Sequence, residues 1–311
     1  MAPLIWLVTA TTSGLGSSLV ESIVARGDRV IATGRNAEQR LAHLKSDTIA
    51  LLDLDVTAGL DVIKSQVKKA TAIWGKIDVL LNNAGVSAPK SIEEADDTFV
   101  QKVFAINLFG TLHVTQAVLP YFRAQGSGTV AFTGAGVAWA PLPFLTHYSA
   151  SKAALDIFVE GLAKEVRGFG IRCIIFESGG FTSKLGQPRD GFDEGFGKYS
   201  PASADYNPLF NQTMKLFMEE ISPHTPGDVN KIAQRIVAVI KGERGAGGKD
   251  WPVRVILGSD ALHLIRQKCT EQLRLADEWE DVSLSTDSDG HNHETSKGLL
   301  RVTSILEPKG Q

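Results

Sequence analysis

L-I-W-L-V-T-A-T-T-S-G-L-G, Leu4 to Gly16, is an apolar run that turns directly into a loop of small residues. Leu4 to Thr9 carry no charge and read as a strand buried on both faces. The glycines that follow permit a tight turn, and a helical pattern then runs from Leu15 to about Arg26. At such a helix start, unpaired N–H groups and the positive end of the helix dipole favour anions, so a pyrophosphate suits the turn. Thr9 to Gly16 is therefore read as a dinucleotide loop, with Ser13, Gly14, Leu15 and Gly16 assigned to the cofactor. Ala10 stands where glycine is usual in such loops. A methyl group is the smallest departure, and the loop geometry is expected to survive it.

The rhythm set by this segment continues along the chain. Further strands are expected at Arg29 to Thr33, Thr48 to Leu52, Val79 to Asn82, Thr129 to Thr133, Ile171 to Glu177 and Val253 to Leu257. Helices are expected at about Ala58 to Trp74, Thr98 to Gln125 with an interruption near Gly110, Tyr148 to Phe169 and Asp228 to Lys241. Apolar strands separated by helix-length crossovers imply one doubly wound α/β domain around a parallel sheet. Two stretches break the rhythm. Residues 184–226 are rich in Gly, Pro and aromatics, among them Phe192, Phe196, Tyr199, Tyr206, Phe210 and Phe217, and are read as a lid over a binding site. Residues 283–311 are mostly polar and are read as a disordered tail.

Composition narrows the function. A net charge of -3 without any Lys/Arg-rich run argues against nucleic-acid binding. Cys173 and Cys269 are too few for a disulfide framework and lack metal-site spacing, so both are read as packing residues in a reducing compartment and no metal is expected. The apolar N-terminus has no basic flank and is too short to span a bilayer, so a cytoplasmic protein without membrane insertion is expected.

Two further features carry chemistry. The second strand ends in V-I-A-T-G-R-N, with no Asp or Glu between Val30 and Ala37 to accept a ribose 2′-hydroxyl. Arg35 stands there instead, and a guanidinium suits a 2′-phosphate, which points to NADP(H). In H-Y-S-A-S-K, Tyr148 and Lys152 share one helix face, where an ammonium beside the phenol favours its ionised form and tunes it for proton transfer.

Taken in order, Thr9 to Gly16, Asp55-Val56, N-N-A-G at Asn82 to Gly85, Asn107, and Tyr148 with Lys152 resemble the motifs of the short-chain dehydrogenase/reductase family. The resemblance runs from the N-terminus to about residue 282. It implies a single Rossmann-type domain over 1–282 with a mostly parallel seven-stranded sheet and the lid after strand six. It further implies that Asp55 and Val56 lie beside the adenine, and that Asn83 lines the cofactor cleft and steadies the sheet. Asn107 would hold a water of the proton relay. Lys152 would bind the nicotinamide ribose and lower the pKa of Tyr148, the acid in reduction. After strand six, where the family has Pro-Gly and then a threonine at the nicotinamide, this chain reads E-S-G-G-F-T-S: Ser178 replaces the proline, Gly179 remains, Phe181 follows, and Ser183 stands in for the threonine hydroxyl.

The serious departure is Ala135. The family places a serine about there, thirteen residues before Tyr148, to donate a hydrogen bond to the substrate oxygen. Loss of one such donor typically costs about 10²- to 10³-fold in rate. Thr133, on the same strand face and one step deeper, is the nearest substitute, while Thr146 and Ser149 are expected to point elsewhere. An engineered Ser→Ala change that traps a complex would also leave this pattern. On the substrate side, Trp139, Pro141, Leu142, Pro143 and Phe144 together with the aromatic insertion imply an apolar pocket for a bulky, even polycyclic, carbonyl or alcohol. His147 reads as a structural neighbour. The expectation is an NADP(H)-dependent carbonyl reductase or alcohol dehydrogenase; the alternatives are a related scaffold turned to non-redox cyclisation or isomerisation, and a cofactor-sensing binding protein. The resemblance implies a homodimer or homotetramer.

Overall fold

The computed structural model describes residues 2–181, 198–217, 224–243 and 251–291, with residues 185, 192, 195, 219 and 298. In chain order the elements are β1 (Ile5–Val8), α1 (Leu15–Val24), β2 (Arg29–Gly34), a short α2 (Ala37–Arg40), β3 (Ile49–Asp53), α3 (Leu60–Trp74) and β4 (Val79–Asn82). Then come α4 (Asp97–Phe104), a π-turn at Ala105–Gly110, α5 (Thr111–Gln125), β5 (Gly128–Ala135), α6 (Thr146–Val166) and β6 (Ile171–Ser178). The last are α7 (Asn207–Leu216), α8 (Val229–Lys241), β7 (Arg254–Leu257), α9 (Ser259–Glu278) and α10 (Glu280–Leu284).

The seven strands form one sheet in the order β3-β2-β1-β4-β5-β6-β7, and every pairing is parallel rather than mostly so. Leu7, Ile31, Leu80, Phe132 and Ile175 point to one face and pack with Ile63, Val67, Val118, Phe122 and Val159 of α3, α5 and α6. Trp6, Val8, Leu81, Ala131 and Phe176 point to the other and pack with Leu19, Ile23, Ile236 and Val237 of α1 and α8. The order reverses direction between β1 and β4, and this switch point opens a crevice beyond the carboxyl ends of the strands.

Differences from the sequence reading have local causes. β5 runs past Thr133 to Ala135, and β6 past Glu177 to Ser178, because the two strands remain paired to their ends. The helix expected from Thr98 starts at Asp97, where the Asp96 carboxylate accepts the Phe99 N–H at 2.7 Å. Among the described residues Asp97–Gln125 is a helical run long and apolar enough to cross a membrane, yet Val114, Val118 and Phe122 are buried in the core. α9 has no counterpart in the expectation, since it buries only Ala261 and Ile265 and so lacks a broad apolar stripe. α7, within the stretch read as a lid, buries only Phe210. The boundary expected at 282 falls inside α10, and residues 292–297 and 299–311 of the expected tail lie outside those described. Cys173 is buried as expected, but Cys269 is exposed on α9 and packs nothing into the core.

The interruption expected near Gly110 is the π-turn, and Gly110 is what lets it lie against β3's continuation. A Cβ at Gly110 would meet the Val56 carbonyl oxygen at 2.7 Å and the Ala105 oxygen at 2.9 Å. Since backbone cannot yield cheaply, Gly110→Ala should lower unfolding free energy by about 1–3 kcal/mol, read as an earlier urea midpoint. An unchanged midpoint would show that the π-turn can rotate away from Val56.

Candidate active site

A cavity of about 610 Å³ occupies the switch-point crevice. At one end lie Ser13, Gly14 and Leu15, so the loop opens onto it as the sequence implied. Gly14 has φ 57° and ψ -134°, a conformation that only glycine adopts without strain. Gly16 lies just behind the residues that line the cavity. A Cβ there would sit 2.1 Å from the Ala10 carbonyl oxygen, so its role is the close packing of α1 on the loop. Ala10 keeps the loop shape at φ 54°, a left-handed conformation that disfavours any side chain. The Asn83 amide donates to the carbonyls of Thr9 and Ala10, both at 3.2 Å, and Thr9 Oγ1 accepts the Asn83 N–H at 2.8 Å. Asn83 thus fastens the loop to the end of β4 while lining the cavity. These residues fit a dinucleotide: a turn opened by Gly14 and a helix start at the edge of the cleft.

Arg35, Asp55 and Val56 line the cavity beyond β2 and β3. Asp55 also accepts the Thr57 N–H and hydroxyl at 2.9 and 2.8 Å, so it caps the strand end as well. Arg40 lines the same region, a residue the sequence reading missed because it lies on α2, an element too short to register. Phe181 lines the wall after β6, and Ser183 lies outside the described residues.

Tyr148 and Lys152 reach the cavity from α6 and are both buried in it. Lys152 Nζ donates to the Thr133 carbonyl at 2.7 Å. Burial pushes the ammonium down to about 8 and raises the phenol of Tyr148, with the Asp156 charge adding to the latter. In this arrangement desolvation, not the neighbouring ammonium, sets the direction for Tyr148. Asn107 is wholly buried and off the cavity wall. Its Oδ1 accepts the Val86 N–H at 2.8 Å, and its Nδ2 donates to the Val86 carbonyl at 2.9 Å and to Ser151 Oγ at 3.0 Å. The side chain is therefore a clamp joining the π-turn, the loop after β4 and α6.

Ala135 lines the cavity with a methyl group where the donor was expected. Thr133 also faces it, but its hydroxyl donates to the Asn82 carbonyl at 3.3 Å. Ser149 does not line it. The substrate half is apolar, with Val137, Leu142, Leu145, Leu185, Phe217 and Leu264 on the wall. Most of the expected aromatics are elsewhere. Tyr199, Tyr206 and Phe210 pack on Phe144, Phe192 packs on Val86, Ala88 and Val103, and Phe196 lies outside the described residues. Trp139 donates its indole N–H to Glu177 at 2.8 Å, and His147 stacks edge-on against Phe99 with burial lowering its pKa. Asp260, at the start of α9, joins the cavity and accepts the Gly180 N–H at 2.7 Å; it was missed because its helix was.

Beneath Lys152, one helical turn along, Asp156 is buried beside Glu177, and Arg254 bridges them at 3.2 and 2.7 Å. Burial and the like charge of Glu177 push the Asp156 acid up to about 8.

A model of the short chain dehydrogenase family matches residues 5–192. Oxidoreductase BOA17 of Botryotinia fuckeliana (strain B05.10) is 32% identical over 291 residues, 91% of this chain and 98% of that protein. The NADPH-dependent 1-acyldihydroxyacetone phosphate reductase of Saccharomyces cerevisiae is 31% identical over 187 residues, 59% of this chain and 63% of that protein. In a solved structure, a short-chain dehydrogenase from Streptomyces avermitilis superposes with a TM-score of 0.76 at 32% identity, covering 93% of this chain and 100% of that one.

The Asp156 acid generates a signed pH dependence. Its folded value of about 8 lies above its ordinary value of 3.8, so the stability it contributes is complete below that ordinary value and is lost as pH rises through about 8. Asp156→Asn keeps the shape and removes the titration. Its melting temperature should therefore gain on the parent's between pH 4 and 8; a constant difference across that range would refute a protonated Asp156.

Proposed function

The chain belongs to the short-chain dehydrogenase family, an oxidoreductase family, and from that membership we propose an NADP(H)-dependent enzyme that reduces a bulky apolar carbonyl compound or oxidises the corresponding alcohol. The observation that carries this reading is the meeting of Tyr148, Lys152, the glycine loop and Arg35 on one cavity that also presents Val137, Leu142, Leu145, Phe217 and Leu264. Preference for the phosphorylated cofactor rests on two guanidiniums, Arg35 and Arg40, which line the cavity with Gly34 at the end of β2, a strand end whose sequence from Val30 to Ala37 holds no Asp or Glu to meet a free 2′-hydroxyl. One relative is NADPH-dependent by name, which agrees.

When bound, the reduced nicotinamide supplies a hydride to the carbonyl carbon. The chain does the rest. The phenol of Tyr148, kept protonated by burial, donates its proton to the carbonyl oxygen. Lys152 holds a positive charge beside the loop at Gly85, where a Cβ would lie 3.7 Å from its Nζ, and is tethered by the Thr133 carbonyl. Asn107 keeps the loop and α6 in register. The apolar wall excludes water and favours a large hydrocarbon skeleton. Leu185 and Phe217 reach this wall from the stretch read as a lid, which supports a substrate-covering role for it. Exposed Phe109 and Ile157, on the helical run through the π-turn and on α6, fit an association of like subunits, and a cytoplasmic site of action belongs to the same reading.

Ala135 favours one other reading, in which the Tyr148 site moves protons for cyclisation or isomerisation without hydride transfer. Product formed with no change in NADPH absorbance would select it; ligand binding with no product at all would indicate a cofactor sensor.

On a panel of bulky apolar ketones the enzyme should oxidise NADPH, and Tyr148→Phe should reduce turnover by about 10²-fold or more while NADPH still binds. Lys152 is charged below about pH 8, so kcat/KM for reduction should fall as pH rises through that value, and Lys152→Arg should abolish the fall. A profile flat through pH 9 would remove Lys152 from the mechanism. Separately, Arg35→Ala and Arg40→Ala should each raise the Kd for NADPH by about 10- to 100-fold and leave the weaker binding of NADH little changed, as measured by nucleotide fluorescence titration. Equal effects on both nucleotides would mean that neither guanidinium reads the 2′-phosphate.

A further inference from the structure

The site as described has an acid, a cofactor cleft and an apolar wall but only a methyl group at Ala135. We propose that Ser178 supplies the missing hydrogen bond to the substrate oxygen, from the neighbouring strand. This inference rests on the oxidoreductase reading above.

The two positions are partners across the sheet: in the parallel ladder of β5 and β6, Ala135 pairs with Ser178. Side chains alternate along a strand, and Ala131, Ile174 and Phe176 belong to one core cluster while Phe132 and Ile175 belong to the opposite one. By that alternation Ala135 and Ser178 project from the same sheet face. Both line the cavity that holds Tyr148. One strand spacing, about 4.8 Å, separates the two backbones, so a hydroxyl on either one serves the space between them. The sequence shows the matching exchange. Where the family resemblance places a serine this chain has Ala135, and where it places a proline, which has no side-chain donor, this chain has Ser178.

Substituting a donor is useful only if it is held still, since a misplacement of about 1 Å can cost 10²-fold. Ser178 is held on three sides. It pairs with Ala135 on β5 and with Leu257 on β7. The next two backbone N–H groups are fixed as well, Gly179 to the Leu257 carbonyl at 2.8 Å and Gly180 to Asp260 Oδ2 at 2.7 Å. A Cβ at Gly179 would lie 1.9 Å from Asp260 Oδ1, so the carboxylate packs directly on the turn. The rigidity that a proline would confer comes here from Asp260.

Rival hydroxyls are worse placed. That of Thr133 is engaged by the Asn82 carbonyl, and Ser149 is off the cavity. Ser87 lines the cavity from the loop after β4, one residue beyond the Val86 that Asn107 clamps, and serves as the comparison. In the step itself, hydride from the reduced nicotinamide forms the new C–H bond and the carbonyl π pair moves to oxygen. The Ser178 O–H stabilises that oxygen by hydrogen bonding, and Tyr148 delivers the proton; Ser178 transfers none.

The test is a cycle of four enzymes, the parent, Ser178→Ala, Ala135→Ser and the double variant, assayed by NADPH oxidation on the ketone panel with the Kd for NADPH measured beside it. Ser178→Ala should lower kcat by about 10²- to 10³-fold. Ala135→Ser should then raise kcat at least tenfold more in the Ser178→Ala background than in the parent, because either serine fills the same role. Ser178→Thr, which keeps the hydroxyl, should stay within tenfold of the parent. An active parent whose Ser178→Ala variant keeps kcat within threefold overturns the inference alone. So does a loss confined to the Kd for NADPH, an equal gain from Ala135→Ser in both backgrounds, or a larger kcat loss in Ser87→Ala. A parent that oxidises no NADPH with any carbonyl overturns the oxidoreductase reading, and this inference with it.

Discussion

The close approach of α6 to β5 at Gly134 is the constraint from which the site follows. A Cβ at Gly134 would lie 2.9 Å from Ile175 Cγ1 on β6 and 3.3 Å from Asp156 Oδ1 on α6, so a side chain there would crowd both the neighbouring strand and the helix. With the helix seated, Lys152 comes within 2.7 Å of the Thr133 carbonyl, one residue before the glycine. Four residues earlier Tyr148 enters the cavity, and four residues later Asp156 meets Arg254 and Glu177. A single helix face thus carries the proton donor, the ammonium and the buried acid in sequence, at heights fixed by one backbone contact.

That seating removes ionisable groups from water, and the electrostatics of the site follow from burial before they follow from pairing. Tyr148 shifts toward its neutral acid form and Lys152 toward its neutral amine. Each shift opposes charge in the same small volume: the phenol is held protonated, while the ammonium gives up its proton more readily. Asp156 obeys the same rule, with Glu177 beside it and one guanidinium, Arg254, shared among Asp156, Glu177 and Glu160. The same Glu177 accepts from Trp139 in the segment leading to α6, so the charged cluster also fixes the chain that enters the catalytic helix.

Where the sequence was legible, the reason is that a local pattern had one physical meaning. Apolar strands such as Val79–Asn82 lie buried on both faces, and the glycine loop could serve only a close approach. Tyr148 and Lys152 were legible because helical spacing places i and i+4 together. The rest depended on contacts remote in sequence. Arg40 sits on four helical residues, and Asp260 begins a helix that buries only Ala261 and Ile265, so neither left a periodic signal. Resemblance assigned Asn107 to a relay water; its side-chain bonds to Val86 and Ser151 give it a clamping role besides, visible only once the π-turn brings them together. The aromatics of residues 199–210 suggested a pocket by composition, but composition cannot tell a wall from a packing cluster, and they close on Phe144.

The pairing of Ala135 with Ser178 belongs to this last class. Along the chain the two changes lie far apart and look like independent losses, one of a donor and one of a rigid turn. In the sheet they are one strand spacing apart, and a third residue, Asp260, stands against the turn that lost its proline. A parallel sheet makes such exchanges accessible, because adjacent strand ends present side chains to the same crevice at nearly equal distances from it. The chemical requirement is a hydroxyl at a point in space, not at a position in sequence. A strand end held by two neighbours and a carboxylate meets that requirement as well as its partner does.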